Sequence, residues 1–239
     1  MLDPTARDNR LLRRLRAAGE EPLSDDDRAR ARGLRDMIDA ALAADADLRA
    51  AAHPPELPDL PPHRDWTWRP ALWRAPVPPL GWAASAGETR LSPDTSLFHD
   101  CPLGEVAARQ MRGDGAPFAF GIDVYAFRGS YLSLAITLPA PARENLRRRH
   151  VIRLDARFRA ERPLAAYARL NIRRGSTPAS VVRELPRGQP SFADFDLAAL
   201  RTDVSRAESL WLDLIFDAPA ANGIVLDDLI LTRTPRAEV

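Results

Sequence analysis

The sequence predicts a mainly β chain: an antiparallel two-sheet β-sandwich of jelly-roll type, preceded by an N-terminal α-helical hairpin. Three observations carry this reading. From about Thr95 onward, apolar residues recur with period 2 in short runs divided by turn signals. Before that, the first fifty or so residues (~50) place apolar residues at i, i+3, i+4 spacing, the period of a helix face. Between the two lies a proline-rich stretch that suits neither pattern. The implied division is 1–52 helical hairpin, 53–82 Pro/Trp-rich linker or strap, and 83–239 β-sandwich domain.

In the helical part, Ser24 precedes Asp25, Asp26 and Asp27, an N-cap followed by acids at the positive helix end. Leu34, Met37, Ile38, Ala41, Leu42 and Leu48 then form one apolar stripe, expected to be buried. A shorter helix over Asn9–Ala18, broken from the first by Gly19–Pro22, completes the hairpin. "HPPELPDLPPHRDW" (53–66) holds five prolines and reads as a stiff linker or strap. Four of the five tryptophans, Trp66, Trp68, Trp73 and Trp82, fall on or just after it. So much aromatic surface is expected to lie against the following domain.

The strands follow in order. "FAFGIDVYAF" (118–127) and "YLSLAITL" (131–138) alternate cleanly, and Phe127-Arg128-Gly129-Ser130 reads as a tight hairpin between them. "VIRLDARF" (151–158) and "AYARLNI" (166–172) alternate likewise and read as antiparallel neighbours joined through Pro163. "VVREL", "FADFDL" and the terminal runs Leu210–Phe216 and Ile224–Leu231 complete the set, the last two flanking Asn222-Gly223.

Composition excludes several function classes. The formal net charge is +1, from 34 basic and 33 acidic residues, which argues against generic nucleic-acid binding. Every basic residue is Arg. No apolar run has membrane-spanning length, and the N-terminus lacks the apolar core of a secretory signal, so the expected location is the cytoplasm. The single cysteine, Cys101, fits a reducing compartment and is expected to be structural, although His99 lies two residues away. There is no Gly-rich phosphate loop, no nucleophile elbow and no metal-ligand spacing among the histidines.

The candidate site is the outward face of the alternating strands: Arg153, Arg157, Tyr167, Arg169, Asn171, Arg173, Trp211 and Asp213. Aromatic rings beside planar polar groups suit sugar recognition, where a ring face stacks and paired hydroxyls need donors and acceptors. Residues 143–174 contain 11 Arg against 3 acids, so an acidic glycan or acidic protein partner is expected there. The opposing reading is a solvated face of cross-strand Arg–Asp pairs. No catalytic residues are assigned. A carboxylate-based glycan hydrolase would need two of Asp123, Asp155 and Asp213 about 5–9.5 Å apart in one cleft.

Two resemblances add to this. "LFHDC", "LRRRHVIRLD", "ERPLAAYARLN", "VRELP" and "LWLDLIFDAP" resemble a family of uncharacterised bacterial proteins, which implies a natural globular protein and supplies no activity. "VLDDLIL" (225–231) resembles the closing strands of jelly-roll carbohydrate-binding modules. That resemblance implies a structural calcium held by Asp227 or Asp228. The leading expectation is a non-catalytic binding module. The alternative is a structural or assembly protein whose helices and Trp-rich strap contact a partner.

Overall fold

A computed structural model describes residues 22–52, 60–103, 105–113, 115–186 and 191–236. The chain divides into two compact units, Met1–Leu48 and Arg49–Val239.

Helix α1 (Asp25–Ala52) begins in the first unit and runs four residues past its boundary at Leu48. Ser24 caps it: its Oγ accepts from the Asp27 N–H at 3.2 Å and donates to Asp27 Oδ2 at 2.7 Å. The expected helical hairpin is not shown, since Asn9–Ala18 lies outside the described residues. The stripe expected to be buried is largely open: Met37, Ile38 and Leu42 are 63%, 58% and 59% exposed.

The second unit is built of strands and short turns. In chain order they are β1 (Trp66–Trp68), a single-turn helix α2 (Ala71–Arg74), β2 (Gly81–Ala84), β3 (Gly87–Arg90), β4 (Thr95–His99), β5 (Val106–Arg112), β6 (Phe118–Val124), β7 (Leu132–Thr137), β8 (His150–Ala160), β9 (Ala165–Arg174), β10 (Thr177–Glu184), β11 (Ser191–Asp196), β12 (Ser209–Asp217) and β13 (Asn222–Pro235). They form two antiparallel sheets. One has six strands in the order β10-β9-β12-β7-β4-β3. The other has seven, in the order β11-β8-β13-β6-β5-β2, with β1 added against β13. The inward residues of both sheets make a single core. Leu134, Ile136, Leu170, Leu212 and Leu214 come from one side, and Phe120, Ile122, Ile152, Leu154 and Leu226 from the other, all without solvent exposure.

Two expected strand pairings, and the connection between the terminal strands, are arches between the sheets. β6 and β7, read as paired through Phe127–Ser130, lie in different sheets. So do β8 and β9 on either side of Pro163, and β12 and β13 on either side of residues 218–221. A short turn serves equally well to join sheet neighbours or to cross the roughly 10 Å between packed sheets, and inward alternation is the same in both cases. Asn222-Gly223 is not the turn itself. Left-handed backbone falls on Ala218 (φ 47) and Ala221 (φ 50), and Asn222 begins β13. The Asn222 side chain instead accepts from the Arg162 N–H at 3.0 Å and donates to the Arg162 carbonyl at 3.2 Å, tying two arches together.

The strand β13 keeps its apolar residues inward by a bulge. Ile224 and Leu226 point inward before it, and Leu229 and Leu231 after it, a change of parity that alternation alone would not permit. The register shifts between Leu226 and Asp228, so the extra residue is absorbed there.

The Trp-rich segment is part of the sandwich, since β1 and β2 are strands of the seven-stranded sheet. Trp73 is fully buried and donates its indole N–H to the Leu226 carbonyl at 3.0 Å. Gln110 clamps the same segment, donating to the Leu72 and Ala75 carbonyls at 2.7 and 2.8 Å and accepting from the Val77 N–H at 2.8 Å. These bonds satisfy the backbone polar groups that proline-interrupted chain leaves without ladder partners.

Candidate functional site

The outer face of the six-stranded sheet carries a concavity of about 490 Å³, within the usual size of a small-ligand site. Its centre is set by cross-strand register. Asp213 of β12 stands opposite Arg169 of β9 on one side and Ala135 of β7 on the other. Ile215 pairs with Ser133, and Ser133 with Phe98 of β4. Trp211, two residues before Asp213, shares its face. Phe98, Tyr131, Ser133, Ala135, Arg169, Trp211, Asp213 and Ile215 line the hollow.

Asp213 is 5% exposed although it sits on the outer face. Its Oδ2 accepts from Arg169 Nε at 2.9 Å, lies 2.7 Å from Arg169 Nη2, and accepts from Asn171 Nδ2 at 2.9 Å. No hydrogen bond reaches Oδ1 among the described residues. The carboxylate is thus neutralised through one oxygen, and its other oxygen keeps its accepting capacity.

The rim is positioned from the β6–β7 arch. Asp100 accepts from the Ser130 N–H at 2.7 Å, the Ser130 hydroxyl at 2.5 Å and the Tyr131 N–H at 3.2 Å. The Ser130 hydroxyl, assisted by these backbone donors, holds the Asp100 carboxyl below the usual carboxylate range. Gly129 is needed for this closure, since a Cβ there would lie 2.4 Å from Asp100 Oδ1 and 2.8 Å from the Phe127 ring. Tyr131 is left 41% exposed at the edge of the hollow.

Of the residues expected at the site, Arg169, Trp211 and Asp213 line the hollow. Asn171 supports it from below, and Tyr167 and Arg173 share its sheet face. Arg153 and Arg157 do not belong to it. They lie on β8, in the other sheet, because β8 and β9 are joined by an arch. Arg153 pairs with Asp194 through two 2.7 Å hydrogen bonds and lies 4.4 Å over the Phe192 ring. The clustering of Arg153, Arg157, Arg169 and Arg173 on one sheet face therefore does not form. Arg159 pairs with Asp227, Arg173 with Glu208 and Arg174 with Asp203.

Phe98, Tyr131, Ser133, Ala135 and Ile215 line the hollow without being among the expected site residues. The signal for Phe98 is the alternation in "TSLFH", where Ser96 and Phe98 are half-buried and Thr95, Leu97 and His99 are buried. That stretch draws attention instead to His99 and Cys101. The structure keeps those two apart chemically: His99 Nδ1 accepts from the Cys101 N–H at 3.2 Å, and Cys101, fully buried, directs its sulfur toward the Ala126 carbonyl. The three carboxylates considered for hydrolysis are also divided, Asp123 and Asp155 in one sheet and Asp213 in the other.

The residues implied for calcium do not fit one. Both Asp228 oxygens are engaged by Arg69 at 2.9 and 2.8 Å, and Oδ1 also accepts from the Leu229 N–H at 2.8 Å. Asp227 is held by Arg159 through both oxygens. Calcium requires six or more oxygen ligands, and among the described residues no group of three or more His, Cys, Asp or Glu comes together. No helix among them is long and apolar enough to cross a membrane.

Fold and site together define a two-sheet antiparallel β-sandwich with an aromatic, charge-paired hollow on one outer face. The chain belongs to a family of unknown function, DUF6478, which matches it over residues 5–239. No curated protein matches it significantly. Among solved structures it is similar to the enzymatically active domain of bacteriophage CBA120 tailspike protein 4, at 10% identity and TM-score 0.41, over 64% of this chain and 21% of that one. The CBM22-1–GH10 modules of Clostridium thermocellum xylanase 10B, complexed with xylohexaose, are similar at 8% identity and TM-score 0.35, over 55% and 25%. The family 11 carbohydrate-binding module of C. thermocellum Lic26A-Cel5E is similar at 11% identity and TM-score 0.36, over 65% and 99%. The chain thus spans about a fifth and a quarter of the first two proteins.

Proposed function

We propose that the protein is a non-catalytic binding module whose hollow on the six-stranded sheet takes an uncharged glycan. The observation that carries this is the floor of the hollow: a nearly buried carboxylate, half satisfied by Arg169 and Asn171, between the Trp211 indole and the Tyr131 and Phe98 rings. Sugar rings present apolar C–H faces and fixed pairs of hydroxyls. Aromatic platforms suit the first, and an acceptor beside a guanidinium suits the second. Charge pairing favours a neutral ligand over an acidic one, because the Asp213 carboxylate already offsets the Arg169 charge and would repel an anion placed beside it.

Titration calorimetry against soluble neutral polysaccharides (glucans, xylans, mannans and galactans) tests this. Binding to one of them is expected, with Trp211→Ala weakening it by about tenfold or more while circular dichroism is unchanged. Absence of binding across the panel would reject the reading.

A second reading has one observation in its favour, the exposure of Met37, Ile38 and Leu42 on α1. Such a stripe suits contact with a partner protein. In that case Ile38→Glu with Leu42→Glu shifts the sedimentation of the protein–partner complex and leaves glycan binding intact.

A further inference from the structure

The hollow ends at Trp211, and a second hollow lies next to it across the pairing of β12 with β7. Trp211 stands directly opposite Thr137, and Thr137 lines a second hollow of about 620 Å³. Trp66 and Trp68 wall it on one side, Pro139 and Pro141 on another, and Arg74 stands at its margin. The two indoles stack with centroids 6.3 Å apart and planes 23° from parallel, since residues i and i+2 of a strand share a face. Both pack on the core yet remain half-buried, so part of each ring stays open. Asp94, also in this hollow, is fully committed. Its Oδ2 accepts from the Ala71 N–H at 3.0 Å, and its Oδ1 from Ser92 Oγ at 2.6 Å and Thr95 Oγ1 at 2.9 Å. It therefore serves to anchor α2, and with it Arg74, rather than to meet a ligand.

Resting on the glycan-binding reading above, we propose that the two hollows form one track along β7, which takes an extended neutral polysaccharide along its length. The strand supplies the ruler. Tyr131, Ser133, Ala135 and Thr137 alternate outward along it, a span of about 20 Å, and the second hollow continues past it to Pro139 and Pro141. That is longer than a disaccharide. An aromatic platform stands in each hollow, Trp211 in the first and Trp66 with Trp68 in the second, while Tyr131 stands at the far end of β7; the junction between the two platforms is the small, exposed side chain of Thr137, opposite Trp211. A chain that stacks at both platforms gains from the second only if it is long enough to cross that junction. This predicts selection by chain length. A pocket for a chain end, closed at Trp211, would show none.

The experiment measures affinity for cello-, xylo- and manno-oligosaccharides of increasing length, from disaccharide to hexasaccharide, on the full chain. Affinity is expected to rise by roughly tenfold or more between the disaccharide and the hexasaccharide, the worth of about one added stacking contact. Trp66→Ala flattens this rise. Because Trp66 also packs on the core, Thr137→Arg serves as a second variant: it obstructs the junction from an exposed strand position and should flatten the rise equally. Binding that is independent of chain length, or a rise that survives Thr137→Arg, overturns the track while leaving the glycan-binding reading standing. Failure of every oligosaccharide and polysaccharide to bind the unaltered protein overturns both.

Discussion

Two arginine–aspartate pairs on the sheets share their chemistry and differ in their surroundings. Arg69 and Asp228 meet beside β13 with side chains only 8% and 7% exposed, through two parallel hydrogen bonds that use both carboxylate oxygens. Arg169 and Asp213 meet on the outer face of the six-stranded sheet. There the aspartate side chain is as well buried, at 8%, but the guanidinium is 44% exposed and every bond falls on one oxygen. The first pair is closed, saturated and adjacent to a bulge, which suits a structural fastening between the Trp-rich segment and β13. The second is half open, and its remaining acceptor belongs to a ligand-sized hollow. Burial of a charge alone does not distinguish fastening from site. Saturation does, because a ligand can recruit only the hydrogen-bonding capacity that the protein has left unused.

The largest effect should come from breaking the closed pair. Arg69→Ala leaves Asp228 buried and unpaired and is expected to cost about 3–5 kcal/mol in urea or guanidinium unfolding. Replacing both partners together, Arg69→Met with Asp228→Leu, should recover most of that loss. A single variant with unfolding unchanged within ~1 kcal/mol would contradict the assignment of a structural fastening.

Breaking the open pair should cost less stability and more binding. Asp213→Asn retains a polar acceptor, and Arg169 reaches water, so a loss of about 1–2 kcal/mol is expected. Glycan affinity should fall much further than the stability does. Equal stability losses for Arg69→Ala and Asp213→Asn would erase the distinction between the two pairs.

A third pair lies between these extremes and can be read by pH. Arg233 donates to both oxygens of Asp65, at 2.8 and 3.2 Å, and the buried His150 ring places its Nε2 3.5 Å from Asp65 Oδ2. The Arg147 N–H donates to His150 Nδ1 at 2.9 Å, which requires that nitrogen to be unprotonated. Burial is the main cause that lowers the His150 pKa. Asp65 opposes it, and Arg233, Arg149 and Arg147 reinforce it. The unfolded chain then binds the proton more tightly than the native one. Stability contributed by neutral His150 is full above about pH 6.5 and is lost as pH falls below that value, by at most ~1.4 kcal/mol per pH unit. His150→Gln should flatten that slope in thermal unfolding followed from pH 7.5 to 5.

The smallest effect is expected at Arg153, whose pair with Asp194 is 26% and 42% exposed. Arg153→Ala should cost only about 0.2–1 kcal/mol and leave glycan binding unchanged, since this residue lies on the other sheet. A clear loss of binding in this variant would return the outer face of the seven-stranded sheet to consideration.

Local sequence carries the strands well and their partners badly. Period-2 alternation in "YLSLAITL", "VIRLDARF" and "SLWLDLIFD" corresponds to β7, β8 and β12, and the outward assignment of Arg169, Asn171, Trp211 and Asp213 follows from it. The parity change in "IVLDDLIL" is also visible in the sequence and is resolved by the bulge near Asp227. What alternation omits is which strand lies alongside which. Placing Arg153 and Arg157 with Arg169 and Arg173 required β8 and β9 to be neighbours, and the arch at Pro163 sends them to opposite sheets.

The sequence by itself determined the inward and outward sides of β6, β7, β8, β9 and β12, the N-cap of α1 and the membership of four tryptophans in one segment, because these depend on spacing along a single chain. Only the tertiary structure decided sheet membership, the Arg–Asp partnerships and the hollow itself. Asp228 meets Arg69, 159 residues away, and Asp213 meets Arg169, 44 residues away. Such pairings are chosen by how two sheets close over a common core, and the turn residues that connect the strands are compatible with either path.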